Sequence, residues 1–388
     1  MASKRANGEG SIGKYKDGWR SRIMVGYNEL GKPIRKEFYG KTQKEVKEKL
    51  ENFKKQYLMQ HIEIDNSTTL EEWLYTYMFE YKKNKIKPSS FERYEGIYRN
   101  YILNTTLGKT KLFKLNITAI QKHYNTLLNN GTSPSTIKSI NQVLKPCLGE
   151  AEKQDYIQKN YAKLIELPKI KKDDKFEVLT LEQQKLFLNA IDGHKLQALF
   201  LVALGTGLRL GEILGLKWSD IDFNKSTLSV NRSLKKVCFI DENLSKEYKV
   251  IEQEPKTINA YRSVPIPKDV LLKLKEHKIN QNKEMLKAGK LYDNKNYVFC
   301  NELGYPLDSK KPTRNLKSIL AKLNIEPIKF HGLRHTYATR LFEANVPPKT
   351  VQALMGHSDI TLTLNIYTKV MDNVKVEAID KINNIFAL

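Results

Sequence analysis

Three regimes of apolar spacing divide the 388-residue chain. Residues 10–40 alternate. In GSIGKYKDGWRSRIMVGY the turn Lys16-Asp17-Gly18 separates two alternating runs, and NELGKP makes a second turn before IRKEFYG, which predicts a small three-stranded β-meander. The two-residue period of the middle strand sets Arg20 and Arg22 on one face, with Trp19, Ser21, Ile23 and Val25 on the other. A lysine-rich helix is predicted from about residue 43 to 60, ending near HIEID.

From 66 to 170 the period becomes helical. Ser67 to Thr69, followed by Glu71 and Glu72, form a capping-box start for LEEWLYTYMFEYKK. FERYEGIYRNYIL and ITAIQKHYNTLLNN continue the pattern, and Ser133 with Pro134 opens the helix that runs through KSINQVLKPCLGEAEKQ. The mixed-charge stretch PKIKKDDK (168–175) reads as a linker. Beyond it, Thr180 starts LTLEQQKLFLNAI, and LQALFLVALGTGLRLGEILGL follows as a mostly apolar helical run. A strand is predicted in STLSVNRSL, a hairpin in EPKTINAYRSVPIP, and helices over 268–290, 312–324 and from HGLRH onward. These patterns predict a mainly α fold with small β-sheets (α+β) in three domains, 1–62, 63–170 and 175–388.

Composition narrows the class. Hydrophobic residues are 40% and charged residues 28%, mean hydropathy is −0.53, and no apolar run reaches the ~18–20 residues of a membrane span. MASKRANGEG lacks a signal-peptide core, and three widely spaced cysteines (Cys147, Cys238, Cys300) suit neither a disulfide framework nor a thiolate metal site. A reducing, cytoplasmic setting fits. Lys plus Arg number 66 against 43 Asp plus Glu, a net +23. The excess is spread as +8, +5 and +10 over residues 1–60, 61–174 and 175–388. A chain positive along its whole length points to a long polyanion, nucleic acid before others.

Six polar residues of the third segment suggest a chemistry: Arg209 in TGLRLGE, Lys256 in EPKT, His331 and Arg334 in HGLRH, His357 in MGHSD and Tyr367 in NIYTKV. Breaking a phosphodiester without metal requires forked cations on the nonbridging oxygens, a proton for the leaving oxygen and a positioned nucleophile. Two arginines, a lysine, two histidines and a tyrosine meet those needs. A zinc helix is the competing reading of His331 and His335 at i, i+4. Gly332 replaces the expected glutamate, Arg334 repels a cation, and no acid or cysteine cluster adds ligands, so no metal and no cofactor are expected. His335 reads as a buried, hydrogen-bonded helix residue. Glu212 reads either as an orienting partner of Arg209 or as a surface ion pair.

The ordered set TGLRLGEILGLKWSDID, KT, HGLRHTYATRL and LMGHSDITLTLNIY resembles the catalytic domain of the tyrosine recombinases, in particular phage and conjugative-transposon integrases. The resemblance covers about 175–388. Residues 66–170 resemble the family's core-binding domain, and residues 10–60, more weakly, its arm-binding domain. The resemblance implies that Tyr367 attacks the scissile phosphate to form a 3′-phosphotyrosine and release a 5′-hydroxyl. It implies that Arg209, Arg334 and His357 hold the phosphate, that Lys256 protonates the leaving oxygen and that His331 assists proton transfer. The implied activity is site-specific DNA recombination through a Holliday junction, integrating or excising a mobile element without ATP. Type IB topoisomerase activity and a non-catalytic DNA-binding regulator are the alternatives.

The implied partners are core-type and arm-type double-stranded DNA, further copies of the chain in a tetramer, and an excisionase and a host DNA-bending protein; the implied location is the bacterial nucleoid. Arg20, Arg22, Arg35 and Lys36 on the meander, and Lys82, Lys83, Lys85, Lys87 and Arg93 with Ser89 and Ser90 in the helical segment, are the expected DNA contacts. The tail VMDNVKVEAIDKINNIFAL packs either on its own domain or on a neighbouring protomer.

Overall fold

The computed structural model describes residues 10–27, 33–61, 67–170, 177–254 and 261–370. Lys256, the tip of the NELGKP turn, the linker from 171 to 175 and the tail beyond Val370 lie outside the described residues. The chain forms two compact units, residues 1–86 with 93–170, and 171–388 with 87–92.

In the first unit, β1 (Ser11–Tyr15), β2 (Gly18–Tyr27) and β3 (Pro33–Gly40) form an antiparallel sheet in chain order, followed by α1 (Gln43–His61). Register pairs Arg20 with Tyr39, Arg22 with Glu37 and Met24 with Arg35, so the arginines at 20, 22 and 35 share one face. The opposite face carries Ser21 and Ile23, both buried, and α1 covers it with Val46 and Leu50.

The next helices end up less regular than their pattern predicts. Thr69 and Glu72 close a capping box on α2 (Leu70–Thr76), which widens into a π-helical turn over Tyr77–Lys82, where Lys83 N–H donates to Met78 O at 2.8 Å. α3 (Pro88–Ile97) widens likewise over Tyr98–Ile102. Tyr77, Met78 and Phe79 are consecutive and all buried, and a wider turn keeps successive side chains nearer one face than a 3.6-residue turn does. α4 (Ile117–Asn129) and α5 (Pro134–Lys153), the latter capped by Ser133, complete the unit, and Trp73 Nε1 donates to Cys147 O on α5 at 3.1 Å.

The second unit is built around α7 (Gln197–Thr206), buried on nearly every side and preceded by α6 (Leu181–Ala190) with its Thr180–Gln183 capping box. α8 (Leu210–Leu214) follows directly. Strands β4 (Ile221–Asp222), β5 (Thr227–Val230), β6 (Ser233–Ile240), β7 (Lys246–Gln253) and β8 (Arg262–Pro265) form two sheets, β4-β5-β8 and β6-β7. Residues 255–260 of the hairpin expected across EPKTINAYRSVPIP lie outside the described residues; of the described strands, β7 before them pairs with β6, and β8 after them pairs with β5. Helices α9 (Lys268–Ala288), α10 (Lys310–Lys322), α11 (Phe330–Glu343), α12 (Pro348–Met355) and α13 (Ile360–Val370) complete it. Val264, Leu274, Phe299, Leu316 and Leu333 join Phe200 of α7 in one core, and a smaller cluster of Phe342, Val351, Met355 and Ile366 ties α11 to α12 and α13. Among the described residues no helix is long and apolar enough to cross a membrane.

Candidate active site

Two left-handed glycines frame the site. Gly207 ends α7 with φ 64°, and a Cβ there would lie 2.3 Å from Tyr337 Cδ1 on α11. Gly356 ends α12 with φ 63°. The first turn delivers Arg209 as N-cap of α8, where Glu212 accepts from both its backbone N–H (3.0 Å) and its guanidinium Nη1 (2.8 Å). An arginine is an unusual N-cap because its side chain has no acceptor for the first-turn N–H groups; only the reciprocal half of a capping box forms, from the Arg209 N–H to the Glu212 carboxylate.

Arg334 enters from α11 and is 2% exposed. Its Nη1 donates to Gly207 O (2.6 Å) and its Nη2 to Met355 O (2.5 Å), while its buried Nε has no protein partner. The last carbonyls of α12, which no helix bond satisfies, are taken by three different arginines. Leu354 O accepts from Arg262 Nε (2.9 Å), Met355 O from Arg334 and Gly356 O from Arg209 Nη2 (3.5 Å). The negative end of the helix dipole thus meets a cationic cluster.

Burial and charge set the titration of this cluster. Desolvation, then Arg334 and Arg209, push the His357 pKa down to about 4. Its ring is 8% exposed, and Nδ1 meets the buried Thr363 hydroxyl at 2.9 Å, which leaves Nε2 for another partner. His331 is also depressed to about 4 by desolvation, His335, Arg334 and Arg209, but its ring is open to water, which screens the effect. His335 packs edge-on against His331 with ring centroids 4.6 Å apart. Burial works to raise the Glu212 pKa, yet the bond and charge of Arg262, with the charge of Arg209, outweigh it and hold the carboxyl below its ordinary range. At neutral pH the cluster is two neutral imidazoles, one carboxylate and three guanidiniums. Such a set has the chemistry to hold and polarise a phosphate and does not suit a cation. Among the described residues no group of acids, histidines and cysteines is arranged to hold a metal.

Arg209, His331, Arg334 and His357 are therefore within mutual electrostatic reach. Tyr367 lies on α13, half-buried, its ring edge-to-face on Phe342 of α11 at 5.2 Å. Arg262 lies in the EPKTINAYRSVPIP stretch but is not among the six residues singled out above. Its signal in the sequence is the β-period: Arg262 shares a strand face with the fully buried Val264, an inward position where a lone arginine demands a partner. Thr363 gave no comparable signal.

The expected DNA contacts divide. Arg20, Arg22 and Arg35 share the open face of the sheet, where Arg20 and Arg22 both pair with Glu37 (3.5 and 2.9 Å). Lys36 pairs with Ile23, so it springs from the helix-covered face, and its ammonium lies 4.7 Å over the Phe53 ring. Lys82 and Lys83 lie over Tyr77 and Phe79, whereas Lys85, Lys87 and Arg93 are exposed.

The chain has clear relatives. A sequence model of the phage integrase family matches residues 177–373, and one of a phage integrase N-terminal SAM-like domain matches 69–128. A protein described as tyrosine recombinase XerC-like, from Caldanaerobacter subterraneus subsp. tengcongensis, is 44% identical over 96% of this chain and 97% of its own. The ICEBs1 integrase of Bacillus subtilis is 24% identical over 97% of this chain and 100% of its own. Among solved structures, the Tn1549 transposon integrase in complex with a circular intermediate DNA is 25% identical, with a TM-score of 0.63 over 77% of this chain and 95% of that one.

Proposed function

The chain belongs to the phage integrase family and is a tyrosine site-specific recombinase, and from that premise we propose which residues do the work and on what DNA. Arg209 and Arg334 clamp the nonbridging oxygens of the scissile phosphate, joined by His357 through Nε2. Tyr367 attacks phosphorus in line; the P–O5′ bond breaks, and a 3′-phosphotyrosine and a free 5′-hydroxyl result. His331, neutral at working pH, takes the phenolic proton, and Lys256 gives one to the leaving oxygen. The phosphodiester's free energy is kept in the phosphotyrosine, so a 5′-hydroxyl from a second duplex reverses the step without ATP.

The observation that carries this reading is Arg334. It is a nearly inaccessible guanidinium whose two Nη groups are fixed by the backbone at both glycine turns and whose buried Nε has no protein partner. Burying such a charge beside two more arginines is costly unless an anion completes the site.

We propose further that residues 1–62, 63–170 and 175–388 act as arm-binding, core-binding and catalytic domains. The face with Arg20, Arg22 and Arg35 enters a major groove, and Lys82, Lys83, Lys85, Lys87 and Arg93 contact core-site phosphates. Four copies then exchange strands through a Holliday junction to integrate or excise a mobile element. An excisionase and a host bending protein set direction, in the bacterial nucleoid. The test is a duplex spanning the recombination junction and nicked beside the cleavage point, so that the cleaved fragment is lost and the adduct accumulates. The unaltered enzyme is expected to form a covalent adduct and Tyr367→Phe none, while both bind the duplex equally. An adduct in Tyr367→Phe removes Tyr367 as the nucleophile.

A further inference from the structure

Glu212 poses a problem of charge. It anchors Arg209 through two bonds, yet a carboxylate on a catalytic arginine cancels the charge that a phosphate needs. The structure resolves this with Arg262. Its guanidinium donates from Nη2 to Glu212 Oε2 at 2.9 Å, on the carboxylate oxygen opposite the one that Arg209 Nη1 holds. Its Nε donates to Leu354 O at 2.9 Å, and Gly356 lies so close that an added Cβ would meet the Arg262 side chain at 3.0 Å. Both side chains of this pair are nearly inaccessible, 6% and 7% exposed.

We propose that Arg262 is a positioning residue for strand cleavage, one that balances the charge of Glu212 and braces the end of α12, so that Arg209 and Arg334 both present full charge to the scissile phosphate. The inference rests on the reading of those two arginines as the phosphate clamp. With Arg262 present, three guanidiniums against one carboxylate leave two positive charges, matching the dianionic pentacoordinate transition state of phosphoryl transfer. Without it, Glu212 is bound by Arg209 alone and one positive charge is left. Two of the Arg262 donors are taken within the protein, Nη2 by Glu212 and Nε by the backbone of the α12 turn that precedes His357. It acts through Arg209 and through the placement of that turn.

A substrate whose scissile phosphate is replaced by a methylphosphonate separates this role from a merely structural one, because a neutral phosphonate needs one positive charge fewer. The experiment measures single-turnover cleavage of the nicked junction duplex, in phosphodiester and methylphosphonate forms, by the full chain and by Arg262→Gln, with melting temperature and DNA affinity measured alongside. On the phosphodiester, Arg262→Gln is expected to cleave at least about tenfold more slowly at unchanged affinity, a smaller loss than that of a direct oxyanion donor. On the methylphosphonate that deficit is expected to shrink to about threefold or less. The double variant Glu212→Gln with Arg262→Gln, which removes the buried carboxylate together with its partner, is expected to cleave the phosphodiester faster than Arg262→Gln alone.

Cleavage by Arg262→Gln at the parental rate, or an equal deficit on both substrates, overturns the proposal. Should Arg262→Gln fail to fold, the double variant carries the test: with the carboxylate gone the loss of Arg262 is expected to cost about threefold or less on the phosphodiester beyond Glu212→Gln alone, and an extra deficit of about tenfold or more overturns the proposal as well. Absence of adduct from the unaltered enzyme, or its persistence in Tyr367→Phe, overturns the underlying reading and the inference with it.

Discussion

Burial of His357 has opposite consequences for stability and for chemistry. Its pKa of about 4 in the folded chain lies below the ordinary histidine value of about 6.5, so the unfolded chain binds the proton more readily between those values. Stability contributed by the neutral, buried ring is therefore complete above about pH 6.5 and is lost as pH falls toward 4, to a total of about 3 kcal/mol. His357→Gln is expected to flatten the fall in melting temperature between pH 6.5 and 4; an unchanged pH slope in that variant counts against the burial argument. The same neutrality suits the chemistry, since an uncharged imidazole donates to a phosphate oxygen without requiring a counterion. Thr363 holds Nδ1, and Thr363→Val is expected to lower cleavage several-fold, by about 1 kcal/mol for the lost hydrogen bond, at unchanged DNA affinity.

At the scale of elements, the short helix α12 matters for its end. Three arginines reach its last carbonyls, and Gly356 turns the chain toward His357 in a left-handed conformation. Gly131, after α4, has the same backbone sign (φ 83°) but open space around it. Replacing either glycine by alanine is expected to cost about 1–2 kcal/mol of left-handed strain, read as a lower melting temperature. Only Gly356→Ala is expected to slow cleavage, because its Cβ meets Arg262; equal cleavage by the two variants overturns that distinction. The helix starts were legible from the sequence, since Thr69, Ser133 and Thr180 cap the helices expected of them. The π-helical turns and the β6–β7 pairing were not. Both depend on which faces get buried and which strands meet, and neighbouring residues do not determine that.

For the whole molecule, charge and its distribution are the dominant facts. A net +23 spread over every segment is expected to give DNA binding that weakens steeply with salt, and alanine at exposed Lys85, Lys87 or Arg93 to lower the slope of log K on log salt by about 1 each. An unchanged slope removes the residue from the phosphate contacts. A chain lacking residues 1–62 is expected to keep Tyr367-dependent cleavage of the nicked duplex while losing the ability to bridge a second DNA site, measured by two-duplex capture.

Residue order alone determined a great deal: the helical and alternating regimes, the caps, the basic character, and residue types whose chemistry suits a phosphate. Those follow from local periods and from chemistry that each side chain carries wherever it lies. The tertiary structure alone decided that Arg209, Arg334 and Arg262 converge on the end of α12, that Glu212 is shared between two arginines, and that Lys36 parts from Arg20, Arg22 and Arg35. Those are meetings of residues separated by up to 147 positions, or differences between two faces of one sheet. Burial then sets their charge states, and burial is a property of the folded whole.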